Sequence, residues 1–311
     1  MKQNTVRRRS AFTQSKLWAN RYIHVMVAFT VIYMLIFRYW PLAWISIAFK
    51  DYKILKGFWD SDWVGLKNFE RIFRNMSYFM SLIRNTLALN LLSLLFAFPA
   101  PIAFAILLNE IRSSKFKRGV QTISYLPHFL STVVVVGIFT TFLSPSLGVL
   151  NKVITSLGGS SINFLSQAKY FWILMVLIGI WQGIGWNAII FLSAIVSIDP
   201  ALYEVAEIDG AGRWKRIWHI TLPGIRNTVM ILLIMRIGSL MAVDTEKIFL
   251  FQNDLNLRVS EMFPTYTYKL GLVQNNFSRA TAIGLFSSVI SLVLVLIANH
   301  LAKKYSEVSI I

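Results

Sequence analysis

Catalysis needs nucleophiles, acids or metal ligands brought together, and this chain has few candidates. There is no cysteine, which removes thiol nucleophiles, thiolate metal sites and disulfide frameworks. The four histidines, His24, His128, His219 and His300, are too scattered for a ligand cluster. The run Leu157-Gly158-Gly159-Ser160-Ser161 lacks the Lys-Ser/Thr that a phosphate-cradling loop needs. Nothing has the spacing of a nucleophile elbow or a two-histidine metal helix. The expectation is therefore no catalytic residue, no metal site and no cofactor in this chain.

The polar residues that stand out are those set in apolar surroundings. Arg236 lies inside an apolar block, where a charge costs roughly 2.5 to 3.5 kcal/mol on insertion scales, so it should face a bundle interior or a wet cavity. It could donate to sugar hydroxyls or a carboxylate, or it could be a structural pair with a carbonyl or acid of another span. Arg38 sits near a block end and can snorkel to headgroups. Trp181, Gln182, Trp186 and Asn187 combine aromatic faces with amides, which suits sugar C–H faces and hydroxyls as well as packing.

The elements that position these residues follow from composition. Of 311 residues, 56% are apolar and 14% charged, where about 25% charged is usual for a soluble domain. Six blocks are nearly free of charge: 23–49, 85–109, 119–151, 170–198, 227–243 and 280–301. A crossing helix needs about 20 apolar residues, so the expected fold is all-α, a polytopic integral membrane protein with six transmembrane helices. The basic residues Lys2, Arg7, Arg8, Arg9, Lys16 and Arg21 precede the first block, which reads as a retained span rather than a cleaved signal.

With the N-terminus inside, the cytoplasmic pieces 1–22, 110–122, 199–226 and 302–311 hold 16 of the 31 basic residues, and the longer outer pieces hold 13. The bias favours cytoplasmic N- and C-termini, although the outer loop 50–84 alone carries seven. A net charge of +17 then points to anionic headgroups rather than nucleic acid. Pro41, Pro99 and Pro101 should kink or end helices unless neighbouring groups recover the freed carbonyls. The stretch 144–148 reads as the turn that ends the third block. Gly179, Gly183 and Gly185 make the fourth thin and open to a break. No internal repeat occurs, so the spans form one domain, 23–305, between a basic segment at 1–22 and a short cytoplasmic tail at 306–311.

The loop 199–226 is the most informative. Asp199 is a good N-cap, Pro200 suits the first helical position, and Glu204 and Glu207 lie early enough to favour the helix dipole. Gly210 or Gly212 can supply the left-handed residue that stops this helix. Trp214, Ile217 and Trp218 then share one helical face, and Pro223 ends the second helix. By helix physics alone this pair could simply cover the inner ends of the spans.

The residue order resembles the EAA loop of binding-protein-dependent ABC importers: Glu204, Val205 and Ala206, then Gly210, then Ile220, Leu222 and Pro223 in register, with Val205 in place of Ala. The segments Trp63-Val64-Gly65-Leu66-Lys67-Asn68-Phe69, Gly185-Trp186-Asn187, Thr265-Tyr266-Thr267-Tyr268 and Gly284-Leu285-Phe286 resemble the carbohydrate branch, especially permeases for oligosaccharides and polysaccharides. The resemblance covers most of residues 20–305, with Asn227 departing from the usual Pro.

The resemblance implies a type I importer permease in a bacterial cytoplasmic membrane, fed by an extracytoplasmic solute-binding protein. It would pair with a second homologous permease and sit on two ATPase subunits that bind ATP and Mg. Glu204 would be the polar contact to an ATPase, Gly210 the bend, and Trp214 and Leu222 the packing that transmits force, with Ala206, Asp209 and Pro223 completing the coupling set. Substrate contacts would fall on the spans flanking the loop, which raises Gln182, Trp186, Asn187, Arg236 and Ser239. An importer of a non-sugar solute is the alternative within the family. A stand-alone secondary transporter would want acids in the membrane, and the six blocks hold none; a membrane scaffold would leave the EAA register unexplained.

Overall fold

A backbone surrounded by hydrocarbon must bond to itself, which leaves apolar blocks little choice but the helix. The computed structural model describes residues 20–306. Most of the expected basic segment at 1–22, and the tail beyond residue 306, lie outside the described residues. The regular secondary structure of the described residues is all helical apart from one isolated antiparallel bridge, Lys50 with Trp63. Four stretches are long and apolar enough to cross a membrane: Arg21–Phe49, Met76–Asn109, Ala168–Val196 and Phe277–His300. Two bent pairs bring the number to as many as six when each pair is counted as one span: Ser114–Phe129 with Thr132–Phe142 at 103°, and Arg213–Gly224 with Arg226–Gly238 at 60°.

The first crossing is α1 (Arg21–Met34), a π turn at Leu35–Tyr39 and a 3-10 stretch at Trp40–Phe49. Helix α1 buries no residue against the rest of the chain; only Ile47 and Ala48, at the far end of the crossing, are buried. A short helix, α2 (Lys67–Phe73), follows. Its buried Asn68 amide donates to the carbonyls of Ala48 and Lys50, both at 2.9 Å, which fixes the return of the chain. The second crossing is α3 (Met76–Leu92), a π turn at Ser93–Ala97 and α4 (Pro99–Asn109).

The prolines neither end these helices nor break their crossings, and the π turns show why. A proline ring clashes with the carbonyl four residues earlier, and a π turn widens the helix at that point. Those residues are Phe37 for Pro41, Leu95 for Pro99 and Ala97 for Pro101, and each lies in a π turn. The same device precedes Pro223, whose partner position His219 lies in the π turn Ile217–Thr221.

The third crossing joins α5 (Ser114–Tyr125) to α6 (Thr132–Phe142), capped by Ser131, whose hydroxyl accepts from Val134 N–H at 3.3 Å. The chain turns at 144–148 as expected and enters α7 (Val149–Ser156). There the buried Asn151 amide donates to the carbonyls of Leu143, Ser144 and Ile162.

Helix α8 (Ala168–Val196) is continuous, so the break considered at Gly179, Gly183 and Gly185 does not occur. In apolar surroundings the freed carbonyls would have no other partner, which holds the ladder together. The thinness is used instead at Gly185, where any Cβ would overlap the Ser124 carbonyl and hydroxyl of α5.

Beyond α8 come α9 (Pro200–Ile208), α10 (Arg213–Arg216) and α11 (Arg226–Gly238). Helix α11 stops short of the apolar block it belongs to. Short helices α12 (Thr245–Phe251), α13 (Leu257–Ser260) and α14 (Phe263–Tyr268) then lead to the long α15 (Phe277–Ser306). Helix α3 begins well before the apolar block at 85, because Asn75 caps it and Arg84 and Asn85 hydrogen-bond the Arg258 carbonyl.

Replacing Gly185 by Ala should lower the thermal stability of the solubilised protein by about 1 to 3 kcal/mol, since backbone must shift to admit a methyl. Gly179 has open space beside it, so Gly179→Ala should be neutral or stabilising by up to ~1 kcal/mol. Equal melting shifts for the two would contradict this helix crossing.

Candidate functional site

The loop between α8 and α11 is built from its caps. The Asp199 carboxylate accepts from Ala201 N–H at 2.9 Å, and Pro200 opens α9. Glu204 and Glu207 fall beyond the first turn, so Asp199, and not they, meets the N-terminal dipole. The helix stops at Gly210, whose φ of 72° only glycine adopts without strain. The Ala211 amide then reaches back to the Ala206 carbonyl at 2.8 Å, which closes the C-terminus. Gly212 is extended and caps α10, so of the two glycines considered Gly210 makes the stop.

Two ties hold this loop in one shape: the Tyr203 and Thr221 hydroxyls at 2.9 Å, and Arg216 with Glu207 at 3.2 Å. A third, Arg213 with Glu110 at 3.8 Å, joins it to the end of α4. The loop exposes apolar side chains that nothing covers among the described residues. Leu202, Val205, Ile208, Trp214 and Trp218 are all exposed, Ile208 at 85% and Trp214 at 74%. Glu204 and Asp209 are exposed beside them, Ala206 and Leu222 are half-buried and Pro223 is exposed. The helical run that begins with α10 passes Pro223 and ends at Gly224, and the chain bends at Ile225, which is fully buried.

A cavity of about 700 Å³ opens among α3, α4, α8, α11 and α12. Its polar lining comprises Asn90, Ser93, Asn187, Arg236, Ser239, Asp244 and Lys247, set among residues such as Phe98, Met175 and Phe191. Asp244 and Lys247 pair at 3.0 Å, while no hydrogen bond or ion pair reaches the Arg236 guanidinium among the described residues. The cavity therefore carries one uncompensated positive charge. Among the residues singled out in the sequence, Asn187, Arg236 and Ser239 meet here.

Gln182 and Trp186 do not line this cavity. The Trp186 ring stacks on His128 at 4.6 Å and meets Phe129 edge-on at 5.5 Å, which pins the bend of the third crossing to α8. Trp181 likewise meets Phe139 of α6 at 5.2 Å. Asn90 and Ser93 lie outside the sequence expectation, although two polar residues three apart in an apolar block share one helix face, a signal the sequence does carry. Of the pair Asp244 and Lys247, both beyond the helix end, only the three-dimensional arrangement shows the cavity they close.

Residues 97–307 match the family described as Binding-protein-dependent transport system inner membrane component. Protein LplB of Bacillus subtilis is 46% identical over 288 residues, covering 93% of this chain and 90% of that protein. The polygalacturonan/rhamnogalacturonan transport system permease protein YteP of the same organism is 45% identical over 292 residues, covering 94% and 91%. A crystallised bacterial ABC transporter for import of the acidic polysaccharide alginate has a chain 39% identical, with a TM-score of 0.87 over 94% of this chain and 99% of its own. The same fit, a TM-score of 0.87 at 39% identity, is found to that alginate transporter in complex with its alginate pentasaccharide-bound periplasmic protein.

If Arg236 served only as a structural partner, removing it would loosen the bundle. Since it has no hydrogen-bond or ion-pair partner among the described residues, Arg236→Met should leave the melting temperature unchanged or raise it. A destabilisation beyond about 1 kcal/mol would instead restore the structural reading.

Proposed function

The chain belongs to the binding-protein-dependent transport system inner membrane component family, and from that premise we propose how it couples ATP use to the passage of an acidic oligo- or polysaccharide. It is a multi-pass inner-membrane permease of an ABC importer, a transport component rather than a catalytic subunit. A solute-binding protein on the outer side delivers the glycan. A second permease completes the path, and two ATPase subunits bind ATP and Mg on the cytoplasmic side. Both termini face the cytoplasm, residues 23–305 form the transmembrane domain, and the loop 199–226 faces the ATPase.

The observation that carries the coupling role is the outward surface of that loop. Exposed aromatic and aliphatic side chains on short helices that are capped, tied and stopped by a left-handed Gly210 form a rigid docking element. Each buried aromatic contributes 150–250 Å² of contact, so Trp214 and Trp218 supply most of the contact area and Glu204 the polar contact. Ala206, Asp209, Leu222 and Pro223 hold its shape. Rigidity is the physical requirement, because closure of the ATPases reaches the membrane only through a connector that does not bend.

The cargo assignment rests on the 700 Å³ cavity and its free guanidinium. Asn187, Ser239 and the newly found Asn90 offer hydroxyl partners, and Arg236 suits a carboxylate, for which its planar fork is matched. The sugar-branch likeness of the relatives supports this choice, since polygalacturonan and alginate are the cargoes their names give. Trp186 acts at one remove, by holding the bend of the third crossing against α8, and Gln182 lies outside the cavity lining.

Two outcomes test the proposal. Glu204→Lys should insert normally yet cut uptake of the glycan by at least ~tenfold, as a reversed charge at a buried contact does; normal uptake would contradict the docking role. Gentle purification of the chain from its own membrane should bring a second permease, an ATPase and a binding protein, identified by mass spectrometry. Recovery of the chain alone, even after crosslinking, would contradict the assembly.

A further inference from the structure

A second cavity, of about 310 Å³, lies at the other end of the bundle, the outer end in the proposed orientation. Arg71 of α2, Asn75 and Tyr78 at the start of α3, Tyr266 of α14 and Arg279 of α15 face it. It thus holds two guanidiniums and no carboxylate. The acid of this region, Glu261, is already engaged: one oxygen takes Lys269 Nζ at 2.8 Å and the other the Tyr78 hydroxyl. Among the described residues neither arginine has an ion pair, and Arg279 Nε is buried without a hydrogen-bond partner.

Nothing in the fold accounts for a positive charge at Arg279. It sits in the first turn of α15, where the helix dipole opposes a cation, and the cap there is made by Asn276 accepting from the Arg279 backbone amide. A buried donor left unsatisfied is costly unless a ligand takes it. The pocket also presents two phenol rings edge to face, Tyr78 and Tyr266 at 5.2 Å, with Asn75 beside them. Aromatic faces, an amide and a planar cationic fork are together the complement of a sugar ring that bears a carboxylate.

The position fits a path. Tyr78, Leu82 and Leu89 share one face of α3 at helical spacing, and Leu89 lines the large cavity while the other two line the small one. At 1.5 Å per residue the small pocket lies roughly 10 Å further out along that face.

We propose that this pocket is an outer subsite for a uronate ring of the cargo, with Arg279 and Arg71 holding its carboxylate and Tyr78 and Tyr266 facing the ring. The inference rests on the acidic-glycan reading of the cargo. It gives Tyr266, which also packs against the core around Phe79 and Phe263, a role that the coupling loop and the inner cavity do not supply. Burial raises the Tyr266 phenol above its ordinary range, with the charge of Arg279 opposing, so it remains a protonated hydroxyl.

The test uses the assembled importer without its binding protein, in zwitterionic lipid, titrated with trigalacturonate and with its methyl ester. The wild type should bind the acid more tightly than the ester. Arg279→Gln and Arg71→Gln should each weaken the acid roughly 10- to 100-fold and leave the ester unchanged. Arg236→Gln should leave an acid-binding site that Arg279→Gln then removes. Should Arg279→Gln fail to assemble, Arg71→Gln carries the same comparison. Unchanged acid binding in the Arg279 or Arg71 variants, with loss only in Arg236→Gln, would overturn the subsite while leaving acidic cargo intact. Equal binding of acid and ester by the wild type would overturn both. Loss of co-purified phosphatidylglycerol from Arg279→Gln, without loss of acid binding, would assign the pocket to a lipid phosphate instead.

Discussion

A polar group inside hydrocarbon has no water to fall back on, and the rest of this structure depends on that constraint. It makes the greater part of every apolar block helical and keeps α8 whole through three glycines. Pro41, Pro99 and Pro101 are admitted only where a π turn moves the opposing carbonyl aside. It also decides where Arg236 can go: onto the cavity of about 700 Å³, where water or cargo can solvate it.

The coupling loop and the cavity are joined by a single packed cluster. Ile225, at the bend after the loop, is buried with Ala188, Phe191 and Ile195 of α8 and Ala105 of α4. Asn187 and Arg236, on the two helices gripped by this cluster, face the cavity. A close-packed cluster does not deform smoothly, so displacement of the loop moves α8 and α11 as bodies. The Glu110 to Arg213 pair adds α4 to the same unit, though an exposed pair contributes only about 0 to 1 kcal/mol. Rigidity here comes from apolar packing and caps rather than from charge.

Much of this was legible in the residues. Block length and the scarcity of charge within the blocks marked the four long crossings and the two bent pairs that make up to six, and the spacing of Asp199, Pro200 and Gly210 marked the two-helix loop, because caps and left-handed glycines are local signals. The π turns were not legible, since nothing in Phe37 or Leu95 marks a widened turn; only the later proline does. Trp186 shows the limit for sites. Beside Asn187 it has the composition of a sugar contact, yet its neighbours in space, His128 and Phe129, lie far away in sequence and claim its ring. Lys247 and Asp244 were visible as charges, but their closing of the cavity depends on α11 ending at Gly238.

In the proposed transport path Asn187, Arg236 and Ser239 face water and not lipid. The chain has no native cysteine, so single cysteines can be placed at 187 and 239 and, as lipid-facing references, at the exposed positions Leu292 and Val293 of α15. In the assembled importer, a charged, membrane-impermeant thiol reagent should label 187 and 239, with the cargo protecting both, and leave 292 and 293 unlabelled. Labelling at 187 and 239 no faster than at 292 and 293 would contradict the account.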